Sequence, residues 1–421
     1  MSNFDTLGLK PELMAALKDA GLKTPTPIQT KAIPLALEGQ DVLGLAQTGT
    51  GKTLAFGLPL VSHLLDAPER PAARTAKSLI LAPTRELVNQ IADNLRMLTG
   101  KTKLRVTTVV GGQSINKQIH QLLKGTDILV ATPGRLIDLM DRKAVDLRTV
   151  KHLVLDEADQ MLDMGFIHAL RRIAPKLGTP RQTMLFSATM PKPMEELSRA
   201  YLTNPTKVQV SPPGKAADKI TQSVHHLAGK AEKAAKLREI LSTDPDALTL
   251  VFARTKHGAE KLMKGLVADG FNAASIHGNK SQGQRDRAIK AFREGEITVL
   301  VATDVAARGI DIPGVAYVIN HDLPEVPDSY VHRIGRTARA GREGEAIAFC
   351  APDEADLLRQ IEKLMKIEIP VASGTAPKDP VARKPQQRGQ GRGKGQGRPA
   401  GNAAAKPNGN RRRRNRSRKA A

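Results

Sequence analysis

Short apolar runs alternate along this chain with longer stretches of helical periodicity. In the first half the strand-like runs are residues 41–45, 78–81, 127–130 and 153–155. The same rhythm returns in the second half at residues 249–252, 298–301 and 317–319. Continuous apolar runs of four or five residues are typical of strands that are buried on both faces. Because such strands alternate with helical segments, the pattern predicts an α/β protein with parallel sheets.

A break between the two halves sets the domain boundaries. The Pro- and Gly-containing stretch at residues 211–219 fits neither a strand nor a helix and is typical of a linker. We therefore predict a first domain at 1–210, a linker at 211–219 and a second domain at 220–368. A chain of 421 residues is also long enough for two or three domains.

Positive charge is concentrated at the C-terminal end. The formal net charge is +23, and from Val371 onward there are fifteen Lys and Arg against one acid, Asp379. This end is rich in Gly, Pro, Gln and Asn, so it lacks the apolar surface that folding requires. We predict a disordered basic tail over 369–421. Nucleic acid is the first partner that this charge suggests, and an anionic membrane is the second.

Other features of the composition limit the function further. Aromatic residues make up 3% and Trp is absent, which favours contacts to the phosphate backbone over stacking on bases. Cys350 is the single cysteine and can form neither an internal disulfide nor a thiolate metal site alone. The N-terminus lacks the apolar segment of a secretory signal, and no apolar run reaches the roughly 18 residues of a membrane span. We expect a cytoplasmic protein that does not bind membranes.

The segment at residues 46–53 carries the sharpest chemical signal. It follows a predicted strand and opens a predicted helix, which is the setting of a phosphate-binding P-loop. Gly49 and Gly51 allow the backbone N–H groups to face phosphate oxygens. In this setting Lys52 is expected to reach the β- and γ-phosphates and Thr53 to face Mg²⁺. The first glycine of the usual pattern is replaced by Ala46.

A P-loop requires a carboxylate at the end of a second strand, and residues 153–159 supply it. Asp156 is expected to hold Mg²⁺, and Glu157 to orient and polarise the attacking water. An acidic stretch after a strand is by itself usually a solvated loop. The P-loop about a hundred residues upstream makes the catalytic interpretation the better one.

Residues 156–159 read Asp-Glu-Ala-Asp, and the chain resembles the DEAD-box RNA helicases across residues 4–349. The resemblance implies two tandem RecA-like domains of the P-loop NTPase type, with ATP and Mg²⁺ as cofactors and RNA as the partner. It extends to the family motif that selects adenine, at residues 26–29, where the amide of Gln29 can pair with the N6 and N7 edge of the base. Phe4 would stack on adenine, or alternatively anchor the N-terminus to the core.

Further residues acquire roles by the same resemblance. The nucleotide-binding set also contains Thr48, Gly49, Thr50, Gly51, Lys52, Thr53, Gly309 and Asp311. The predicted RNA contacts are Pro83, Thr84, Arg85, Gly112, Thr132, Arg135, Arg254, Gln282, Arg285 and Thr303. The residues expected to couple nucleotide to RNA are Asp159, Ser187, Thr189 and His332, with the Ser187 and Thr189 hydroxyls bonded to Asp159.

The resemblance also assigns two arginine fingers, Arg336 and Arg339, which would reach the γ-phosphate from the second domain. They are three residues apart, so on a helix they would share a face, and a solvated basic face is the alternative. His332 would contact Asp159 or be a satisfied buried histidine. Ala338 stands where most relatives have Gly, which resembles a bacterial subset of the family. The RhlE-type bacterial branch is the most similar.

Together these features predict an ATP-dependent RNA helicase that separates strands locally and without processivity, or removes bound protein. It would be a monomer that binds single-stranded and duplex RNA without sequence preference. The tail would tether RNA, or else aid solubility or dock ribosomal precursors or RNA-decay proteins. Three other functions stay open: an RNA chaperone with a vestigial ATPase, a DNA helicase, and a scaffold that acts through its tail.

Overall fold

The structure is a computed structural model that describes residues 3–47, 49–210, 220–307, 312, 314–338 and 343–375. In this part of the chain the strands form two sheets of seven, and every strand pair is parallel. The α/β class and the parallel sheets are thereby confirmed. The predicted linker at 211–219 lies outside the described residues.

The first sheet has the strand order β3-β4-β2-β5-β6-β1-β7. Its strands are β1 (Val42–Leu45), β2 (Ala76–Leu81), β3 (Val106–Val109), β4 (Thr126–Ala131), β5 (His152–Leu155), β6 (Gln182–Ser187) and β7 (Thr206–Gln209). The helices around it are α1 (Pro11–Asp19), α2 (Pro27–Leu37), α3 (Lys52–Asp66), α4 (Arg85–Thr99), α5 (Ile115–Leu122), α6 (Pro133–Asp141), α7 (Ala158–Asp163), α8 (Ile167–Ile173) and α9 (Lys192–Tyr201). Short 3-10 turns lie at Phe4–Leu7 and Ala174–Lys176.

The second sheet has the order β10-β11-β9-β12-β13-β8-β14. Its strands are β8 (Ile220–His226), β9 (Thr249–Phe252), β10 (Ala273–Ile276), β11 (Val299–Ala302), β12 (Tyr317–Asn320), β13 (Gly344–Cys350) and β14 (Val371–Ser373). The helices are α10 (Lys230–Thr243), α11 (Lys256–Ala268), α12 (Gln282–Arg293), α13 (Asp304–Ala307), α14 (Pro327–Ile334) and α15 (Ala355–Met365). A 3-10 turn at Pro352–Glu354 precedes α15.

The central strands of the first sheet send alternate side chains into two separate cores. Val42 and Val154 pack into one core, and their neighbours Leu43 and Leu153 pack into the other. This arrangement follows from the two-residue period of a strand, because helices cover both faces of the sheet. It explains why these strands read as continuous apolar runs rather than as an alternation.

The second domain extends beyond its predicted boundary at 368. Ile369 is buried, and Val371–Ser373 pair with β8 as the last strand of the sheet. The prediction that the disordered tail begins at 369 was therefore wrong for residues 369–375. The apolar strand residue Val371 is exposed, so the pattern here is too weak to mark a strand. Residues 376–421 lie outside the described part of the chain.

No helix in the described part of the chain combines the length and the apolar character that a membrane span requires. The long helices α3 and α4 have 15 residues each, and α4 carries charged residues along one side.

Candidate nucleotide and RNA site

The P-loop lies where the sequence places it, between β1 and α3. Gly51 caps the helix with φ +89°, a left-handed conformation that glycine adopts without strain. A Cβ atom at this position would lie 2.5 Å from Nε2 of Gln29, so a side chain has no room. Lys52 begins the helix and is 6% exposed, and Thr53 follows it. Thr48 lies outside the described residues.

Gln29 fastens the P-loop to helix α2. Its Oε1 accepts a hydrogen bond from the backbone N–H of Thr26 at 2.9 Å, and its Nε2 donates to the carbonyl oxygen of Gly51 at 3.0 Å. One N–H and one lone pair of the amide remain, which is the number that pairing with an adenine edge requires. The contact of Gln29 with adenine stays a prediction.

Phe4 lies in the first hydrophobic core. It is 2% exposed and packs in the cluster that contains Leu7, Leu13 and Leu17. Of the two roles that the sequence left open for Phe4, core anchoring is the one that this position provides. Stacking on adenine would require a change in its surroundings.

The acidic residues after β5 face Lys52. Nζ of Lys52 lies 3.7 Å from Oδ1 of Asp156, and both side chains are buried. Burial raises the pKa of Asp156 to about 6; the charge of Lys52 opposes this effect and that of Glu157 reinforces it. Glu157 has φ +51°, a strained backbone for a residue with a side chain and one that is concentrated at functional sites.

This donor set fits Mg²⁺. A magnesium ion is usually bound by one or two carboxylates, while phosphate oxygens and water supply its other ligands. Asp156 supplies a buried carboxylate whose charged form a divalent cation would stabilise, and the Thr53 hydroxyl stands next to Lys52 on α3. The residues present can therefore hold the metal together with a bound nucleotide.

Asp159 connects the acidic segment to the end of β6. Its Oδ2 accepts hydrogen bonds from the N–H of Ala188 at 3.0 Å, the N–H of Thr189 at 2.8 Å and the Thr189 hydroxyl at 3.2 Å. The hydroxyl of Ser187 instead donates to the carbonyl oxygen of Thr189 at 2.7 Å. The expectation that both hydroxyls bond Asp159 was thus wrong for Ser187, because its side chain closes its own turn.

His332 of the second domain also contacts Asp159, with Nε2 3.9 Å from Oδ2. Burial acts to raise the pKa of Asp159, but His332, Lys52 and the backbone N–H groups of Thr189 and Gln160 outweigh it and hold this pKa below its usual range. The geometry matches the interdomain contact that the motif suggests for His332.

Four side chains join the two domains beside the predicted RNA path. Nη1 of Arg85 donates to Oε1 of Gln282 at 3.1 Å, and Nε2 of Gln282 donates to Oε1 of Glu86 at 3.1 Å. Nη2 of Arg285 lies 3.0 Å from the same oxygen of Glu86. The sequence predicted Arg85, Gln282 and Arg285 as RNA contacts; the structure brings them against one another. Glu86, which the sequence did not single out, is the centre of this interdomain network.

The other predicted RNA residues of the first domain cluster near the carboxyl ends of β2, β3 and β4. Gly112 has φ +75°, and a Cβ atom there would lie 2.0 Å from Nη1 of Arg85, so glycine makes room for the arginine. Nη1 of Arg135 donates to the carbonyl oxygen of Gln113 at 3.0 Å. Pro83, Thr84 and Thr132 are buried at the starts of α4 and α6. In the second domain Thr303 is buried after β11.

Arg254 has a different environment from the one predicted. Its backbone N–H donates to Oδ2 of Asp322 at 2.9 Å, and its guanidinium pairs with Glu354. Lys233 pairs with the same carboxylate at 2.5 Å. Arg254 is therefore engaged in a charge cluster within the second domain.

Arg333 positions the segment that carries the arginine fingers. It is 2% exposed and forms a two-pronged ion pair with Asp304, at 2.5 Å to Oδ1 and 2.7 Å to Oδ2. Its Nη1 also donates to Oδ1 of Asn320 and to the carbonyl oxygen of Asp322. Sequence reasoning missed both Arg333 and Asp304, although both lie inside motifs that it recognised.

Arg336 is 4% exposed and lines a small cavity together with His332 and Asp304. Ala338 has φ +54°, a left-handed conformation that glycine adopts without strain. The other predicted finger, Arg339, and the predicted ATP contacts Gly309 and Asp311 lie outside the described residues.

Family models match both domains. The model described as DEAD/DEAH box helicase matches residues 26–197, and the one described as helicase conserved C-terminal domain matches residues 232–341. The ATP-dependent RNA helicase CshA of Limosilactobacillus reuteri is 45% identical over 378 residues, which cover 89% of this chain and 74% of that protein. This chain belongs to the DEAD-box ATP-dependent RNA helicases. Members of this family are ATP-hydrolysing enzymes, so the enzyme class is confirmed.

Solved structures of DEAD-box proteins share the fold. The structure of S. cerevisiae Dbp5 bound to RNA and ADP BeF3 has a TM-score of 0.78 at 33% identity, with 89% of this chain and 96% of that chain covered. A point variant of S. cerevisiae Dbp5 bound to Nup159, a Gle1 variant, IP6 and ADP has a TM-score of 0.60 at 32% identity, with 87% and 96% covered. The RecA-like architecture of both domains is thereby confirmed.

Proposed function

We propose that this helicase is a two-state clamp that ATP and RNA close together, and that it separates short RNA duplexes locally rather than processively. The interdomain network of Arg85, Glu86, Gln282 and Arg285 carries the proposal. Charged side chains that meet in this way across two domains stabilise one relative arrangement of those domains. The TM-score is 0.78 with Dbp5 bound to RNA and ADP BeF3, against 0.72 and 0.60 with two Dbp5 complexes that contain protein partners, so the arrangement bound to RNA and nucleotide is the more similar one.

Neither domain holds a complete hydrolytic site in this proposal. The first domain supplies Lys52 for the phosphates, Thr53 and Asp156 for Mg²⁺, and Glu157 to orient the attacking water. The second supplies Arg336 and Arg339 to stabilise charge on the transferred phosphoryl group. A bound magnesium ion would neutralise charge on the phosphate oxygens. Hydrolysis therefore depends on closure, and RNA that spans both domains favours closure.

Closure would be transmitted through Asp159. This carboxylate contacts the loop after β6 through Thr189 and the second domain through His332. It lies three residues after Asp156, so a change at the phosphates can reach the interdomain contact over a short path. Release of phosphate would then loosen the His332 contact and reopen the clamp.

The C-terminal basic segment is proposed to tether RNA. If about five of its cations contact single-stranded RNA, the logarithm of affinity should fall with the logarithm of salt concentration with a slope of roughly −3.5. Docking of ribosomal precursors or RNA-decay proteins is the alternative role for this segment. The cytoplasmic location, the monomeric state, the roles in ribosome assembly and RNA degradation, and the RhlE-type branch stay predictions.

The clamp proposal is tested by replacing Glu157 with Gln. This change preserves the size of the side chain but removes the carboxylate that orients water, so turnover should be lost while ATP-dependent RNA binding is kept. Binding of a labelled single-stranded RNA is measured with ATP, with ADP and without nucleotide. RNA affinity that is the same in all three conditions would contradict the clamp.

Competition between matched RNA and DNA duplexes in the same assay tests the polymer preference. The 2′-hydroxyl of RNA is the group that a protein can use to tell the two apart. Stronger competition by the DNA duplex would favour the DNA helicase alternative, and equal competition would show that the 2′-hydroxyl is not recognised.

A further inference from the structure

The two domains have the same strand order, so the strands and helices around the nucleotide site have counterparts in the second domain. Strand β8 occupies the place of β1, and β12 occupies the place of β5. Helix α10 therefore corresponds to α3, and both helices begin with a lysine after a glycine cap. In the first domain these residues are Gly51 and Lys52, and in the second they are Gly229 and Lys230.

A cavity of about 540 Å³ lies at the corresponding place in the second domain. It is lined by the start of α10, one side of α11, and the residues that follow β9 and β12. Strand β9 leads through α11 to β10 on one side, and β12 leads through α14 to β13 on the other. The crevice between them is thus the point where the strand order reverses, which is where open α/β sheets bind ligands. The volume also falls within the range of small-molecule sites.

The side chains that line this cavity favour an anion. Lys230, Arg238, Arg254 and Lys261 are the basic residues of the lining, and Asp322 is the acidic one. Arg238 is paired with Asp269 and Arg254 with Glu354, so the two lysines supply the charge that is available to a ligand. Asp322 already accepts the backbone N–H of Arg254 and lies 3.7 Å from Nζ of Lys233. Within the described residues, neither Lys230 nor Lys261 is in an ion pair.

One ring nitrogen of a buried histidine in the same wall has no hydrogen-bond partner among the described residues. His321 is 9% exposed and lines the cavity. Its Nδ1 lies 3.5 Å from Oδ1 of Asp322, at the limit of a hydrogen bond, and its Nε2 has no hydrogen-bond partner among the described residues. Because an unsatisfied buried polar atom is unfavourable, a ligand whose hydrogen-bonding group reaches this nitrogen would stabilise the site.

The same part of the domain already holds one buried anion. The carboxylate of Glu354, which is 3% exposed, pairs with Lys233 and with Arg254. The cavity next to it offers Lys230 and Lys261 for a second anion, and Ala231, Ala234 and Leu262 for an apolar body. Three residues, 227–229, connect β8 to α10, against six, 46–51, in the P-loop. Fewer backbone N–H groups can therefore converge, and the side chains must supply the contacts.

We propose that this cavity binds a phosphate monoester of nucleotide size, held by Lys230 and Lys261 beside His321. The site is separate from the catalytic one and does not depend on the clamp. The ligand could come from two sources, a free nucleoside monophosphate or the 5′-phosphate end of an RNA. Both present the same terminal phosphate group.

The test uses the full chain and a Lys230→Gln/Lys261→Gln double variant. A Lys264→Gln/Lys363→Gln variant, which removes two exposed charges outside the cavity, is the matched control. Binding of labelled AMP and of inorganic phosphate is counted by equilibrium dialysis. AMP bound at the catalytic site should be the same in all three proteins. The parent and the control should therefore each bind one AMP per chain in the cavity, in addition to any at the catalytic site. The affinity of the cavity for AMP should fall at least about tenfold in the double variant, as expected for losing charge-assisted hydrogen bonds.

A second arm compares a short RNA with a 5′-phosphate and the same RNA with a 5′-hydroxyl. Tighter binding of the phosphorylated RNA, lost in the double variant only, would identify the RNA end as the source. If the double variant weakens the binding of AMP but not that of the phosphorylated RNA, the ligand is the free nucleotide. Equal AMP, phosphate and RNA binding by the parent and the double variant would overturn the proposal.

Discussion

Arg285 and Glu86 meet across the two domains, with Nη2 of the arginine 3.0 Å from Oε1 of the glutamate. The Glu86 side chain is 6% exposed and that of Arg285 15%, so the pair is shielded from water. Removing one partner of such a pair is more costly than removing one partner of a surface ion pair, because it leaves a buried charge uncompensated. The network around it therefore depends on the relative position of the domains.

Replacing Glu86 with Gln should uncouple RNA from ATP hydrolysis. The change keeps the shape of the side chain and the contact with Gln282, but it leaves Arg285 without its carboxylate. A hydrogen bond to a charged group contributes about 1.5–3 kcal/mol, so RNA-stimulated ATPase should fall roughly tenfold or more. Hydrolysis without RNA should be unchanged. The measurement is kcat for ATP at saturating RNA.

Two further variants separate this effect from a general loss of stability. Glu69→Gln changes an exposed loop glutamate of the same domain and should leave both rates unchanged. The double change Glu86→Arg/Arg285→Glu restores opposite charges and should recover part of the stimulation. If Glu86→Gln keeps the full stimulation by RNA, the network does not hold the closed state.

Replacing Arg333 with Lys should lower both stability and catalytic rate. A lysine cannot reproduce the two-pronged contact with Asp304 or reach Asn320 and the carbonyl of Asp322 at the same time. Breaking a buried ion pair destabilises a protein by about 3–5 kcal/mol when one partner is removed, and a lysine should retain a part of that. We expect a loss of about 2 kcal/mol by urea denaturation.

Arg336 follows Arg333 in the same segment, so the Arg333→Lys change should also disturb the position of Arg336. In this variant kcat should therefore fall while KM for ATP changes little. Arg359→Lys, at an exposed helix position paired with Asp356, is the control and should change the free energy of unfolding by less than about 0.5 kcal/mol. A normal kcat in the Arg333→Lys variant would show that Arg333 has only a structural role.

Stability should fall between pH 6.5 and 4 because of His152. Burial lowers the pKa of His152 to about 4 and the neighbouring charge of His63 lowers it further, while the hydrogen bond that Nδ1 of His152 donates to Oε1 of Gln182 acts in the opposite direction. The unfolded chain takes up the proton near pH 6.5, while the folded chain resists it down to about pH 4. The contribution to stability is therefore complete above pH 6.5 and is lost as the pH falls to 4.

The expected loss of unfolding free energy between pH 6.5 and 4 is on the order of 2–3 kcal/mol. His152→Gln removes the titrating group, so it should flatten the dependence of the unfolding free energy on pH in this interval. His168→Gln, at an exposed position, should keep it. An unchanged slope in His152→Gln would assign the acid sensitivity to other groups.

The sequence was sufficient for the features that depend on local pattern. All seven predicted strands are present, because parallel strands buried on both faces appear as apolar runs. The P-loop and the acidic segment were recognisable because their chemistry requires fixed residue types at fixed positions after a strand. The tail boundary was misplaced, because a three-residue edge strand at Val371–Ser373 is too short to leave a periodic signal.

The contacts between distant segments could not be predicted in this way. Glu86 looks like an ordinary acidic residue in the first turn of a helix, and only the approach of Arg285 and Gln282 gives it a role. The cluster of Lys233, Arg254 and Glu354 joins residues about a hundred positions apart. In the sequence, buried charges of this kind cannot be told apart from those of a solvated helix face, because only the fold brings their partners close to them.

The most direct test of the clamp is the rate of ATP hydrolysis with and without single-stranded RNA, with GTP as the second nucleotide. We predict strong stimulation by RNA with ATP and little with GTP, because Gln29 would pair with adenine and RNA would favour closure of the two domains. Equal rates with ATP and GTP would contradict the role assigned to Gln29. An ATP hydrolysis rate that RNA does not change would contradict the coupling between RNA and closure.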